Sequence, residues 1–174
     1  AIRFALTALK SVGRPVITAI VNERENRGLY TTLEDFITRT SEYDVNKRVI
    51  ENLIKAGAFD SIPGTRKQLM SVYVSLVEHL VKDKKNNMAG QMSLFDLAQE
   101  EDKDSFEIPL PNVGEYSKEV LLAFEKEVVG VYISGHPLEE YKEFIEHRIS
   151  ARTSDFYLDE ETNATKVVDG SEVV

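Results

Sequence analysis

Apolar positions recur at helical spacing through most of the first half of the chain. Ile2, Phe4, Ala5, Leu6 and Leu9 form one cluster, Lys10-Ser11-Val12-Gly13 interrupts it, and Val16, Ile17, Ala19, Ile20 and Val21 build the next face. Pro15 suits the first turn of that second helix, where its missing N–H costs nothing, and Gly28 suits a left-handed end. Thr31-Thr32-Leu33-Glu34-Asp35 offers two capping registers, Thr31 with Glu34 or Thr32 with Asp35, before a short helix reaching about Thr40. Asp44 or Asn46 can cap a helix whose core face is Val49, Ile50, Leu53 and Ile54 and which ends at Gly57. After a turn over residues 58–64, Thr65 with Gln68 opens a long helix using Leu69, Met70, Val72, Tyr73, Leu76, Leu80 and Val81.

The pattern changes at Lys82. Residues 82–87 read as the start of a linker, and 90–111 are acidic and irregular, with two apolar islands at Met92-Ser93-Leu94-Phe95 and Phe106-Glu107-Ile108-Pro109-Leu110-Pro111. Ser117 starts a helix containing Val120, Leu121, Phe124, Val128 and Val129. Ile133-Ser134-Gly135-His136-Pro137-Leu138 is a loop, in which His136 reads as fixing the backbone rather than as a catalyst or ligand. A second short helix, about Glu139 to Arg148, follows, and Lys166 to Val174 reads as a turn entering a strand. The expected organisation is a mainly α chain with a helical domain over 1–82, a flexible acidic linker over 83–115, a helix-loop-helix over 116–150, and a lead-in over 151–174.

Charge sharpens this division. The formal net charge is −9, but residues 1–90 hold 14 Lys and Arg against 10 Asp and Glu, while residues 91–174 hold 7 against 20. The mildly basic first half can meet phosphate, whereas the acidic second half would be repelled by it. The chain contains no Cys, which excludes disulfides and thiolate metal sites, and its three scattered His leave any metal to carboxylates. No apolar run approaches the roughly 20 residues of a membrane helix, and the first residues lack a signal-peptide layout, so a cytoplasmic protein without membrane contact is expected.

Leu9-Lys10-Ser11-Val12-Gly13 resembles the hairpin of a helix-hairpin-helix, usually Leu-Pro-Gly-Val-Gly followed by a helix. A tight turn there leaves backbone N–H groups at a helix start, and those donors with the positive helix end can hold one phosphate. Small residues let a nucleic-acid backbone come close. Such contacts position a duplex without reading its bases. Lys10 and Arg14 flank the turn as possible charge-assisted partners. Here Ser11 replaces the first Gly and Lys10 the Pro. The same residues also suit an ordinary corner with a Gly cap. The second helix pair looks like a degenerate second hairpin, with Lys47, Arg48 and Lys55 on or near its first helix and Arg66 and Lys67 opening its second; a solvated face is the other reading.

Longer strings are more specific. Ala8-Leu9-Lys10-Ser11-Val12-Gly13, Ile20-Val21-Asn22-Glu23-Arg24, the run from Val45 to Asp60, Gly90-Gln91-Met92-Ser93-Leu94-Phe95, and the run from Glu125 to Leu138 resemble, in order and spacing, the bacterial DNA polymerase III alpha subunit, in its DnaE branch. The resemblance implies a tandem helix-hairpin-helix that binds double-stranded DNA independently of sequence, and an oligonucleotide-binding fold beginning near Val167. It also implies a catalytic palm, with its magnesium-binding carboxylates, upstream and outside this chain. No catalytic residue, metal site or cofactor is therefore expected here, and contacts with other replisome subunits are expected through the parent protein. Gln91, Met92, Ser93, Leu94 and Phe95 look like a peptide that docks on the bacterial sliding clamp, Leu94 and Phe95 filling an apolar pocket and Gln91 bonding at its edge. A pure protein-interaction scaffold with structural hairpins is the competing reading. A repair glycosylase using Asp35 or Asp44 lacks a helper Lys.

Overall fold

The computed structural model describes residues 6–88, 108–158 and 164–174, without the side chains of 83–88. The described residues are mainly α-helical and contain no strand. After a short 3-10 turn at Leu6–Ala8 come α1 (Arg14–Arg27), α2 (Leu33–Thr40), α3 (Lys47–Lys55), α4 (Arg66–Met88), α5 (Lys118–Val128) and α6 (Lys142–Glu146). The chain forms two compact units, residues 1–134 and 135–174.

In the first unit the local start and stop signals act as the sequence requires. Thr32 caps α2 by accepting from the Asp35 N–H (3.0 Å), while the Asp35 carboxylate reaches back to the Thr31 N–H (3.0 Å). Asn46 caps α3 through the Val49 N–H (3.1 Å). Both halves of the Thr65–Gln68 box are present, at 2.9 and 3.2 Å. The apolar faces of α1 to α4 meet in one core, centred on Phe36, Ile50, Leu53, Ile54 and Leu69. Phe36 meets Tyr30 and Phe59 edge to face at 5.0 and 4.9 Å, the favoured aromatic geometry. Arg39 staples the α1–α2 corner: its guanidinium donates to the carbonyls of Glu23, Gly28 and Leu29 and pairs with the Glu23 carboxylate at 3.2 Å.

Three elements differ from expectation. The fourth helix continues to Met88 rather than ending near Val81, because Lys and Asn without an intervening Gly or Pro let a nucleated helix propagate past its apolar face. The first unit also extends well beyond residue 82. Ile108 packs against the core, Gln68 Nε2 donates to the Pro111 carbonyl (2.8 Å), and α5 adds the buried Leu122 and Val128. Residues 108–134 therefore complete the hairpin unit instead of forming linker and separate helices.

The third difference lies in the second unit, where the helix expected over 139–148 splits into a 3-10 turn (Glu139–Tyr141) and α6. His136 does fix its loop, its Nδ1 accepting from the Leu138 N–H (3.1 Å). At the end of the chain the expected turn is present, with the Ser171 N–H on the Val168 carbonyl (3.1 Å). The expected strand is not. Among the described residues, residue 174 makes only a pair of bonds with Ser150, and a strand needs a partner ladder to form.

Candidate nucleic-acid interface

The first hairpin turns at Leu9–Val12, closed by the Val12 N–H on the Leu9 carbonyl (3.4 Å). Its third residue, Ser11, has φ 63°, the one positive φ outside glycine among the described residues. A turn that demands the left-handed region at this position favours Gly, which explains why the usual pattern has one there. Ser11 takes that conformation regardless. Gly13, by contrast, is extended (φ −73°, ψ 151°), and a Cβ on it would meet only Pro15 Cδ at an ordinary 3.6 Å. Nothing among the described residues therefore requires Gly13 to lack a side chain.

Leu9 and Val12 are buried, whereas Lys10, Ser11, Gly13 and Arg14 are exposed. Val12 thus anchors the turn, and its side chain is not available to an outside ligand. Helix α1 starts at Arg14 with Gly13 as N-cap, and no side chain among the described residues caps it; Gly13 and Arg14, at this start, are exposed. The turn is buttressed from both sides. The Lys10 N–H donates to the Val128 carbonyl at the end of α5 (2.9 Å), and the Lys10 carbonyl accepts from buried Asn52 Nδ2 on α3 (2.7 Å).

The cations of the second helix pair are placed differently from one another. Arg48 is exposed. Lys47 is exposed and paired with Glu78 at 2.6 Å. Lys55 differs from the expectation of a free charge. Its side chain is only 13% exposed, lies between Glu51 (3.0 Å) and Glu127 (3.2 Å), and stacks over the Phe124 ring. Burial pulls its pKa down, but the two carboxylates outweigh burial and raise it. Arg66 is likewise internal, gripping Asp60 through two bonds (2.9 and 2.7 Å), the Lys55 carbonyl (3.1 Å) and the Glu125 carboxylate (3.2 Å). Gly57 makes room for this guanidinium, since a Cβ there would collide with it.

Glu125 is fully buried and also accepts the N–H groups of Ile133 (2.6 Å) and Ser134 (2.9 Å). Burial pushes its carboxyl pKa up. The Ser134 and Ile133 N–H donors, the Ser134 hydroxyl and Arg66 together more than offset this and hold it below the usual value. Sequence reasoning missed Asn52, Glu115, Glu125 and Glu127; a polar Asn within the apolar run Val49 to Ile54 was the one available signal.

Gln91, Met92, Ser93, Leu94 and Phe95 lie outside the described residues. No described helix is long and apolar enough to cross a membrane, and the described residues contain no group of three or more His, Cys, Asp or Glu able to hold a metal ion.

An uncapped helix start behind a tight, buttressed turn, followed by a second helix pair, defines a helix-hairpin-helix region, and a helix-hairpin-helix motif model matches residues 1–69. Over most of the chain the similarity is more particular. The DNA polymerase III subunit alpha of Borreliella burgdorferi is 40% identical over 145 residues, 83% of this chain and 13% of the relative. Those of Chlamydia pneumoniae and Thermus aquaticus are 39% and 36% identical, over 83% and 80% of the chain and 12% and 11% of their own length. Over this stretch the chain belongs to the bacterial DNA polymerase III alpha-subunit family. It spans roughly an eighth of the length of the curated relatives it matches.

Proposed function

We propose that this chain is the region of a replicative DNA polymerase that holds duplex DNA by its backbone and carries a docking peptide for the sliding clamp, working in the cytoplasm with the other replisome subunits. The uncapped start of α1 beside Gly13 supports this most directly. Its N–H groups and positive helix end suit one phosphate, with exposed Lys10 and Arg14 beside it. Polymerisation and its magnesium ions belong to a palm elsewhere in the parent; this region supplies grip.

Fluorescence anisotropy with unrelated duplexes tests the proposal. Binding should be independent of sequence and weaken with salt. Lys10→Ala with Arg14→Ala should flatten the log–log salt slope by roughly 0.9 per lost phosphate contact. A flat signal at low salt up to high protein concentration would sink the hairpin reading. Clamp docking through Gln91 to Phe95 is tested by pull-down, and capture that survives Leu94→Ala with Phe95→Ala would remove that assignment. The commitment of Lys55 and Arg66 to internal carboxylates favours a second reading, a clamp-binding scaffold with structural hairpins. On that reading clamp capture persists while duplex binding is absent.

A further inference from the structure

The second helices of the two hairpins start differently. The start of α1 has no side-chain cap, whereas all four leading N–H groups of α4 are satisfied from within. Thr65 N–H donates to Gln68 Oε1 (2.9 Å) and Gln68 N–H to Thr65 Oγ1 (3.2 Å). The two between them go to a single carboxylate from 49 residues later: Glu115 Oε2 accepts from Arg66 N–H (2.8 Å) and Oε1 from Lys67 N–H (3.1 Å). Oε1 also accepts from Tyr116 N–H (2.7 Å), which fixes the carboxylate on its own segment. That segment is held in place. Gln68 Nε2 reaches the Pro111 carbonyl (2.8 Å), Leu110 lies against Gly64, and Lys67 Nζ sits over the Tyr116 ring.

A carboxylate with both oxygens on successive N–H groups of a helix start has the charge and bonding of a phosphate in that position. We propose that Glu115 is a built-in stand-in for a backbone phosphate that closes the second hairpin, so that the duplex is gripped through the first hairpin alone. This rests on the reading of the first hairpin as a DNA contact. A phosphate could take the α4 position only by displacing Glu115 from its three donors, and with Glu115 in place the two anions repel.

Amide NMR of the 174-residue chain, titrated with a short duplex at low salt, reads the two ends separately. In the wild type the Gly13, Arg14 and Val16 amides should shift and those of Arg66 and Lys67 should not. In Glu115→Ala the Arg66 and Lys67 amides should shift as well. Its salt slope by anisotropy should steepen by roughly 0.9, and Kd at low salt should tighten about two- to fivefold. Glu115→Gln keeps one acceptor oxygen over the position and should behave like the wild type in slope.

Duplex-induced shifts at Arg66 and Lys67 in the wild type would overturn the proposal, an arm that needs no variant to fold. So would a folded Glu115→Ala whose Arg66 and Lys67 amides ignore DNA. Equal gains in Glu115→Gln and Glu115→Ala would assign the effect to lost charge rather than an occupied position, and would overturn it too. Failure of the first-hairpin reading looks different: Gly13 and Arg14 stay still while Arg66 and Lys67 still respond in Glu115→Ala.

Discussion

Removing the Glu125 carboxylate should cost the first unit more stability than its hairpin turn could contribute by any single contact. Glu125→Ala deletes one fully buried anion and leaves four donors without it: the Ile133 N–H, the Ser134 N–H, the Ser134 hydroxyl and Arg66 Nη1. A buried ion pair broken from one side costs about 3–5 kcal/mol. Arg66 keeps its two bonds to Asp60 and one to the Lys55 carbonyl, so the guanidinium is not left bare. The two backbone donors, at about 1–3 kcal/mol each if desolvated, can partly recover water where the turn opens. The net loss should be about 3 kcal/mol, which for a unit of this size lowers Tm by roughly 10 °C. Urea denaturation of Glu125→Ala, Arg66→Met and the double variant supplies the cycle. Because Arg66 and Glu125 share a bond, their effects should fail to add by at least about 1 kcal/mol. A loss below about 1 kcal/mol for Glu125→Ala, or additivity within about 0.5 kcal/mol, would refute the role given to this pair.

Three further outcomes follow from the same geometry. Gly13→Ala should leave the thermal midpoint within about 2 °C, since its backbone is extended and its Cβ meets nothing closer than 3.6 Å among the described residues, while duplex affinity by anisotropy falls several-fold because a phosphate can no longer come as near. Ser11→Gly should stabilise by about 0.5–1 kcal/mol in urea melts, the relief of a left-handed Ser exceeding the chain entropy a Gly loses. The Glu125 carboxyl sits below its unfolded pKa, so its contribution is present above about pH 4.5 and is lost as pH falls through the folded value; the stability gap between wild type and Glu125→Gln should narrow on acidification below that pH, measured by urea melts across the range.

What could be read from the sequence, and what could not, divides by distance along the chain. Thr32 with Asp35, Asn46 with Val49 and Thr65 with Gln68 are partners three residues apart, so a spacing rule finds them. The bonds that shape the candidate site join residues 42, 49, 59 and 72 apart: Asn52 to Lys10, Glu115 to the Arg66 N–H, Arg66 to Glu125, and Lys55 to Glu127. No periodicity encodes such pairs, because each is fixed only once the helices have packed.

The charge split shows the consequence. Read as a sequence, the basic first half looks free to meet phosphate and the acidic second half looks like a repelled tail. In the fold, Glu125 and Glu127 from the second half hold Arg66 and Lys55, Glu115 covers the start of α4, and Glu78 takes Lys47. Part of the acidic excess is therefore spent inside the hairpin unit, and so is part of the basic one. The exposed cations left at the first hairpin are Lys10 and Arg14. A grip resting on a few backbone N–H groups and two side chains neutralises few phosphates, so its salt slope should be shallow, with an exponent near 2 rather than the 6–10 contacts of a tight binder. Such a weak grip suits a region that must let duplex slide past, with persistence supplied by a second attachment through effective concentration rather than by the hairpin itself.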